Sequence, residues 1–148
     1  MSFSKMYQQK SVSADKAALA VKSGDWVDYG HFLTTPLNFD AALSRRAGQV
    51  RDVKIRTAGF LGLPATAVSD PKQESFIYNS GFFMAGDRGL HDKGLAYHIP
   101  LIYYEFPGFS ERHLRSDVGV FRAAPMDENG FFNYGISNDC IRRMIDAA

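Results

Sequence analysis

The chain has 148 residues, 45% of them hydrophobic and 22% charged, and 17 basic against 16 acidic side chains leave a formal net charge of +1. That is one domain's length with apolar material for a core. It shows neither the basic surplus of a nucleic-acid binder nor a highly charged tract expected to stay disordered. No apolar run reaches the roughly 20 residues of a membrane span, and the opening Met1–Tyr7 lacks the apolar stretch of a secretory signal. The single cysteine, Cys140, excludes an intramolecular disulfide and fits a reducing compartment, so the composition predicts a soluble, cytoplasmic α/β domain.

In chain order, Ser13 is placed to cap a helix over residues 14–22, an Ala/Leu/Val/Lys run that Gly24 ends. Trp26, Val27 and Tyr29 read as a short strand closing at Gly30. Thr35-Pro36 predicts a helix start, a capping hydroxyl followed by proline at the first helical position. That helix is expected from Leu37 to about Ala47, with Leu37, Ala41 and Ala42 on one face. Residues 53–58 read as the next strand, broken by Gly59 and the Gly62–Pro64 loop. Residues 76–79 and 81–84 are two aromatic strand segments divided by the turn signal Asn79-Ser80-Gly81. Gly86–Gly89 is a turn that opens a short helix toward Lys93. Residues 99–105 read as a strand that Pro100 confines to a start or an edge, and Pro107 begins a helical turn or two ending at Leu114. Residues 118–123 form a strand, and Asn129-Gly130 predicts a tight hairpin turn between Met126 and Phe131-Phe132. Asn138 or Asp139 caps a final helix over residues 140–148.

Strands and helices in alternation predict an α/β fold with a mostly parallel sheet and flanking helices. Ligands of such sheets collect at the carboxyl ends of the strands. Attention therefore falls on Gly30–Pro36, Gly59–Pro64 and the segment around Gly86. The last helix carries apolar residues at Ile141, Met144 and Ile145 and no strand follows it. It is expected to need a covering surface, and the chain to be the first part of something longer.

Most chemical motifs are missing. His31, His91, His98 and His113 have no H-x-x-x-H or C-x-x-C spacing, so no metal site is expected and packing or surface roles are the better reading. Cys140 lies beside Arg142 and Arg143 near a helix start, which lowers a thiol pKa, but no base accompanies it and a small packed residue is the better reading. Asp127-Glu128 precede Asn129-Gly130 and read as turn residues. Neither G-x-G-x-x-G nor G-x-x-x-x-G-K-[ST] occurs, which removes the main support for dinucleotide or P-loop chemistry. The best site candidate is Tyr29–Pro36: a strand ends in glycine, which lets a ligand approach the backbone, and the loop enters a helix whose N–H groups attract anions or a developing oxyanion. The same segment reads equally as an ordinary strand-to-helix turn.

Several blocks together carry a resemblance. Lys10-Ser11-Val12-Ser13-Ala14-Asp15-Lys16-Ala17 and Val21-Lys22-Ser23-Gly24-Asp25-Trp26-Val27 resemble the opening of the acetyl-CoA hydrolase/transferase family, the family I CoA-transferases. Gly30, Phe32 and Pro36 with Leu43 are similar to its glycine-phenylalanine-proline loop and the helix behind it, and Val53-Lys54-Ile55 to its next strand. Arg88, Gly94, Ala96, Tyr97, Pro100 and Glu105-Phe106-Pro107 resemble a further stretch. Asp117-Val118, Pro125, Asp127, Gly130, Gly135, Ser137 and Asp139 resemble a last one. The resemblance spans nearly the whole chain and is strongest to the branch with butyryl-CoA:acetate and 4-hydroxybutyrate CoA-transferases.

The resemblance implies the NagB/RpiA-like α/β fold of a CoA-transferase N-terminal domain, ending short of the catalytic half, and ping-pong chemistry on an acyl-CoA thioester. An enzyme carboxylate attacks the thioester to give a glutamyl-CoA intermediate, and a second short-chain carboxylic acid takes the CoA. Coenzyme A thioester is then a substrate and no cofactor is bound covalently. The nucleophilic glutamate belongs to a glycine-rich motif of the C-terminal half; none of Glu74, Glu105, Glu111 or Glu128 sits in one, so no catalytic residue is expected in this chain. Gly30, His31, Phe32, Thr34, Pro36 and Asn138 are implied as substrate-binding, while Phe60, Phe82 and Phe83 either line an acyl pocket or, the better reading, pack the core. His31, Leu33 and Thr34-Thr35 stand where family members carry small residues, which bears on substrate size. Expected partners are the acyl-CoA, the carboxylate, the C-terminal half and further copies in a homo-oligomer, with no nucleic acid or membrane. Two other readings stay open: an inactive binding or assembly module of the same fold, and a sugar-phosphate isomerase or hydrolase on a related sheet.

Overall fold

The structure is a computed structural model and describes residues 2–135, 137–138 and 141–147, without the side chains of 143, 144 and 147. The readings placed on Asp139, Cys140 and the Met144 side chain lie outside the described residues. Strands β1 (Trp26–Tyr29), β2 (Val53–Thr57), β3 (Phe76–Ser80), β4 (Tyr97–His98) and β5 (Val118–Val120) form one parallel sheet in the order β4-β3-β2-β1-β5. Helices α1 (Phe3–Lys10), α2 (Ala14–Ala18), α3 (Leu37–Ser44), α4 (Ala65–Ser69), α5 (Ala85–His91), α6 (Phe106–His113) and α7 (Ile141–Ala147) surround it. The predicted parallel α/β class is the observed one.

Side chains alternate across the pleat. Val27 and Tyr29, Val53 and Ile55, and Phe76 and Tyr78 share the buried face, where α2, α3 and α4 supply Ala18, Phe39, Leu43 and Ala67. Tyr29 meets the edge of Phe39 at 6.2 Å between ring centroids, and Phe60 links Tyr29 to Tyr78 at 6.4 Å each. The opposite face is polar near its centre. Asp28 and Arg56 form a two-pronged ion pair with both contacts at 2.6 Å, almost shielded from water. The same guanidinium donates to the Arg115 carbonyl at 2.9 Å and lies 4.9 Å from the Trp26 ring centre. One cation thus ties β1, β2 and the approach to β5.

Two tyrosine–carboxylate pairs join the core to the helices. Tyr29 donates its hydroxyl to Asp40 (3.3 Å), in the first turn of α3, and Tyr78 donates to Asp87 (2.7 Å), in the first turn of α5. Asp40 also accepts from the backbone N–H of Ala65 at 2.5 Å and the Thr66 hydroxyl at 2.7 Å, so it caps α4 from a different helix. Asp87 accepts from the Met84 N–H at 2.8 Å. Burial pushes both carboxyls above the ordinary carboxylate range, and burial beside a carboxylate pushes both phenols up.

Several local readings change. The second helix ends at Ala18, because the Arg46 guanidinium takes the Ala18 and Val21 carbonyls (2.5 and 2.7 Å) and Gly24 turns the chain at φ +85°. Pro36 stands at the N-cap position with φ −87°, not at the first helical residue, and the Thr35 hydroxyl donates back to the Phe32 carbonyl at 2.6 Å instead of capping. The α3 face turned inward is Phe39, Asp40, Ala42 and Leu43, while Leu37 is exposed, and the helix stops at Ser44. Residues 81–84 continue β3 as a loop into α5 and make no strand. No strand forms over 99–105: the edge strand β4 lies just before it, at Tyr97–His98, and the 3-10 turn Tyr103–Glu105 follows, since Pro100 has no N–H for a ladder. At the end of the chain Ile141 is fully buried, so part of the face assigned to an outside partner is covered within the chain; Ile145 remains exposed.

Two outcomes follow for stability. Arg56→Met, which strands Asp28 in the interior, should cost about 3–5 kcal/mol in chemical denaturation, and pairing it with Asp28→Val should restore most of that loss. Asp40→Asn should destabilise the fold by about 1–3 kcal/mol, because an amide cannot accept from every donor around it. Asp40 has a raised folded-state pKa, so the folded chain holds its proton more tightly than the unfolded chain, and the stabilisation from that proton fades as pH rises above the usual carboxylate range. The advantage of the parent over Asp40→Asn should therefore be largest below about pH 4, the ordinary carboxylate value, and shrink as pH rises in denaturation series at several pH values.

Candidate functional site

The three predicted loops converge at the carboxyl end of the sheet. Gly30 ends β1 with its N–H donated to Val120 at 2.8 Å, and Phe32 donates its N–H to the Gly59 carbonyl at 3.0 Å, bridging Phe32 to Phe60. A Cβ at Gly30 would lie 2.6 Å from the Thr34 carbonyl oxygen and 2.8 Å from Phe121 Cβ, closer than real Cβ atoms come. Gly86 faces the Gly62 carbonyl at 2.2 Å from where its Cβ would stand. Both positions admit only glycine, because a neighbouring loop occupies the side-chain space.

The segment after Gly30 is wound tightly. Thr34 donates both its N–H and its hydroxyl to the His31 carbonyl (2.9 and 2.7 Å), and Thr35 does the same to Phe32 (3.2 and 2.6 Å). The winding holds Phe32 at φ +48°, a left-handed conformation costly for an aromatic residue and maintained by the surrounding bonds. Of the residues singled out in the sequence, Gly30, His31, Thr34 and Pro36 are buried. The His31 ring sits edge-on against Phe106 at 5.1 Å. Phe32 is half-buried and meets Phe82 and Tyr103 at 5.7 and 6.0 Å. Asn138 is exposed, and its carbonyl accepts the Ile141 N–H at 3.2 Å. Gly30, His31, Phe32, Thr34 and Pro36 form one unit by chain continuity, and Asn138 follows Ser137, which borders the same crevice as Thr34.

The oxyanion expectation changes with this geometry. The N–H groups of Gly30, Phe32, Thr34, Thr35 and Leu37 are all donated within the chain, so these amides are not aimed at a ligand. The loop instead contributes Phe32 to an aromatic cluster with Phe82 and Tyr103.

A crevice of mixed lining opens beside it. Strand order reverses between β1 and β5, and there a cavity of about 260 Å³ is lined by Leu33, Thr34, Arg122, Ala124, Tyr134 and Ser137 among others. Arg122 donates its N–H to the Thr34 carbonyl at 2.9 Å, fixing the two walls together. Sequence reasoning missed Arg122 and Tyr134, since nothing local says that β5 returns to the side of β1. The far wall is shaped by the predicted turn: Asp127 accepts the N–H groups of Asn129 and Phe131 at 2.9 and 2.8 Å, and Gly130 at φ +86° carries the reversal. Asp127 is thus used in the turn. Among the described residues no group of three His, Cys, Asp or Glu side chains is arranged to hold a metal, and no helix is long and apolar enough to cross a membrane.

Known proteins share this organisation. The chain is 37% identical, over its whole length, to the butyryl-CoA:acetate CoA-transferase of Anaerostipes caccae, of which it covers 33%. It is 25% identical, again over its whole length, to the 4-hydroxybutyrate coenzyme A transferase of Clostridium kluyveri, of which it covers 34%. The crystal structure of RipA from Yersinia pestis superposes on the whole chain with a TM-score of 0.88 at 21% identity and shows the same fold over 37% of its own length. The chain spans about a third of the length of the curated relatives it matches. Residues 1–148 match the acetyl-CoA hydrolase/transferase N-terminal domain from end to end, and the chain belongs to that family.

Proposed function

We propose that this chain is the N-terminal part of an acyl-CoA:carboxylate CoA-transferase, or of an acetyl-CoA hydrolase, that moves CoA between short-chain carboxylic acids. The observation that carries the reading is the match of residues 1–148 to the family's N-terminal domain, with butyryl-CoA:acetate CoA-transferase among the relatives at 37% identity. In this reading the nucleophilic glutamate that forms the glutamyl-CoA thioester lies outside the chain. What these residues do is shape its surroundings. The 30–36 loop, tied to the loops after β2 and β5, is a rigid aromatic wall at the carboxyl end of the sheet. Such a wall excludes water from a thioester, which favours transfer to a carboxylate over hydrolysis. Gly30, Phe32 and Pro36 act by holding that wall, His31 and Thr34 by packing beneath it, and Asn138 at the rim.

The chemistry of the buried acids supports placing the nucleophile elsewhere. Asp28 is held by Arg56, and Asp40 and Asp87 hold helix starts and tyrosine hydroxyls. All three are buried and held by donors within the chain, which gives each a structural use.

The test is an exchange of segments. The 148-residue chain incubated with butyryl-CoA and acetate should form no acetyl-CoA. Substituted for the matching third of the Anaerostipes caccae transferase, it should restore acetyl-CoA formation at a rate within about a hundredfold of the parent, a barrier difference of about 2.7 kcal/mol. A folded but inactive chimera, or a CoA adduct found by mass spectrometry on an acidic residue of the 148-residue chain alone, would overturn the reading.

A further inference from the structure

We propose that the crevice between β1 and β5 is a binding site for a short aliphatic carboxylate, anchored by Arg122. The choice of a carboxylate rests on the transferase reading; the anion preference rests on the crevice itself. Its free polar side chains are Arg122, Tyr134 and Ser137, the Thr34 hydroxyl being donated to the His31 carbonyl, and among the described lining residues none is acidic. One cation beside two neutral hydroxyl donors favours an anion. Among the described residues Arg122 makes no ion pair, whereas Arg45, Arg56, Arg115 and Arg142 each have an aspartate. The side chain is therefore not already neutralised, and its guanidinium fork suits the two oxygens of a carboxylate.

Position and size agree. The crevice lies where strand order reverses, the place at which open parallel sheets bind ligands. Its walls are fixed by the Arg122 N–H bond to the Thr34 carbonyl and by the Tyr134 ring against Phe121 at 6.1 Å. A cavity of about 260 Å³ is at the small end for a ligand site. Leu33, Ala123 and Ala124 add apolar wall for a short alkyl tail, which inorganic phosphate lacks.

The proposal is tested by titrating the ¹⁵N-labelled 148-residue protein, at constant ionic strength, with sodium butyrate, inorganic phosphate and n-butanol. Butyrate should shift the amide resonances of Thr34, Arg122 and Gly135 saturably, n-butanol should not, and phosphate should bind roughly tenfold more weakly. Arg122→Gln, at an exposed position, should keep the remaining spectrum and weaken butyrate by roughly tenfold. Absent or unsaturable shifts, or shifts unchanged in Arg122→Gln, would remove the site; phosphate binding as tightly as butyrate would reduce it to a general anion site and overturn the carboxylate assignment. The chimera separates this from the transferase reading. An active chimera without butyrate shifts removes the crevice site alone, and butyrate shifts at Arg122 with a folded, inactive chimera remove the transferase reading alone.

Discussion

The architecture turns on β1 having a hydrogen-bonded neighbour on both sides. Because β2 and β5 flank it, the chain leaving Tyr29 emerges between two other loops and has no free direction in which to spread. Gly30 answers that crowding by omitting a side chain where Thr34 and Phe121 already stand, and Phe32 by accepting a left-handed conformation that lets its N–H reach Gly59. The loop can be strained because three strands hold its ends. The aromatic wall and the Arg122 crevice are both consequences of that arrangement, one on the β2 side and the other on the β5 side.

The buried charges separate stability from chemistry. Raised carboxyl pKa values in a cleft are a common sign of catalysis, and Asp40 and Asp87 show them. Geometry gives another account. Each acid lies in the first turn of a helix, where it meets the positive end of the backbone dipoles, and each accepts from a tyrosine of the core face. The device is used twice, after β1 and after β3, and locks a strand to the helix that follows it. Asp28 and Arg56 do the comparable work on the other face, where the pair is retained at the expense of desolvation and binds three segments together.

Much of the fold could be read along the chain. The Ser13 cap, the Trp26–Tyr29 and Val53–Thr57 strands and the Asn129-Gly130 reversal are local: a hydroxyl three residues before an N–H, a run of apolar residues, a glycine at positive φ. The readings that failed had a local signal overruled by a distant partner. Thr35 looks like a cap, yet its hydroxyl turns to Phe32 because the 30–36 loop is already wound, and α3 starts at Pro36 without a side-chain cap. Leu37 looks like a core residue from its type, but the sheet lies on the side of Phe39 and Leu43. The aromatic run 99–105 looks like a strand, but the edge beyond β3 accepts only two residues before Pro100.

The candidate site divides along the same line. Residue types and their spacing determined the parallel α/β class, the loops that matter and, through the motif blocks, the family, because these depend on periodicity and on side chains a few residues apart. Tertiary structure alone decided that the Gly30 and Phe32 amides are spent on neighbouring segments, that two perturbed aspartates are structural, and that Arg122 stands beside Thr34. Those outcomes depend on which strand lies next to β1, and adjacency between segments some ninety residues apart, as in the Asp117 bond to Trp26, is set by the packing of the whole sheet rather than by any stretch of sequence.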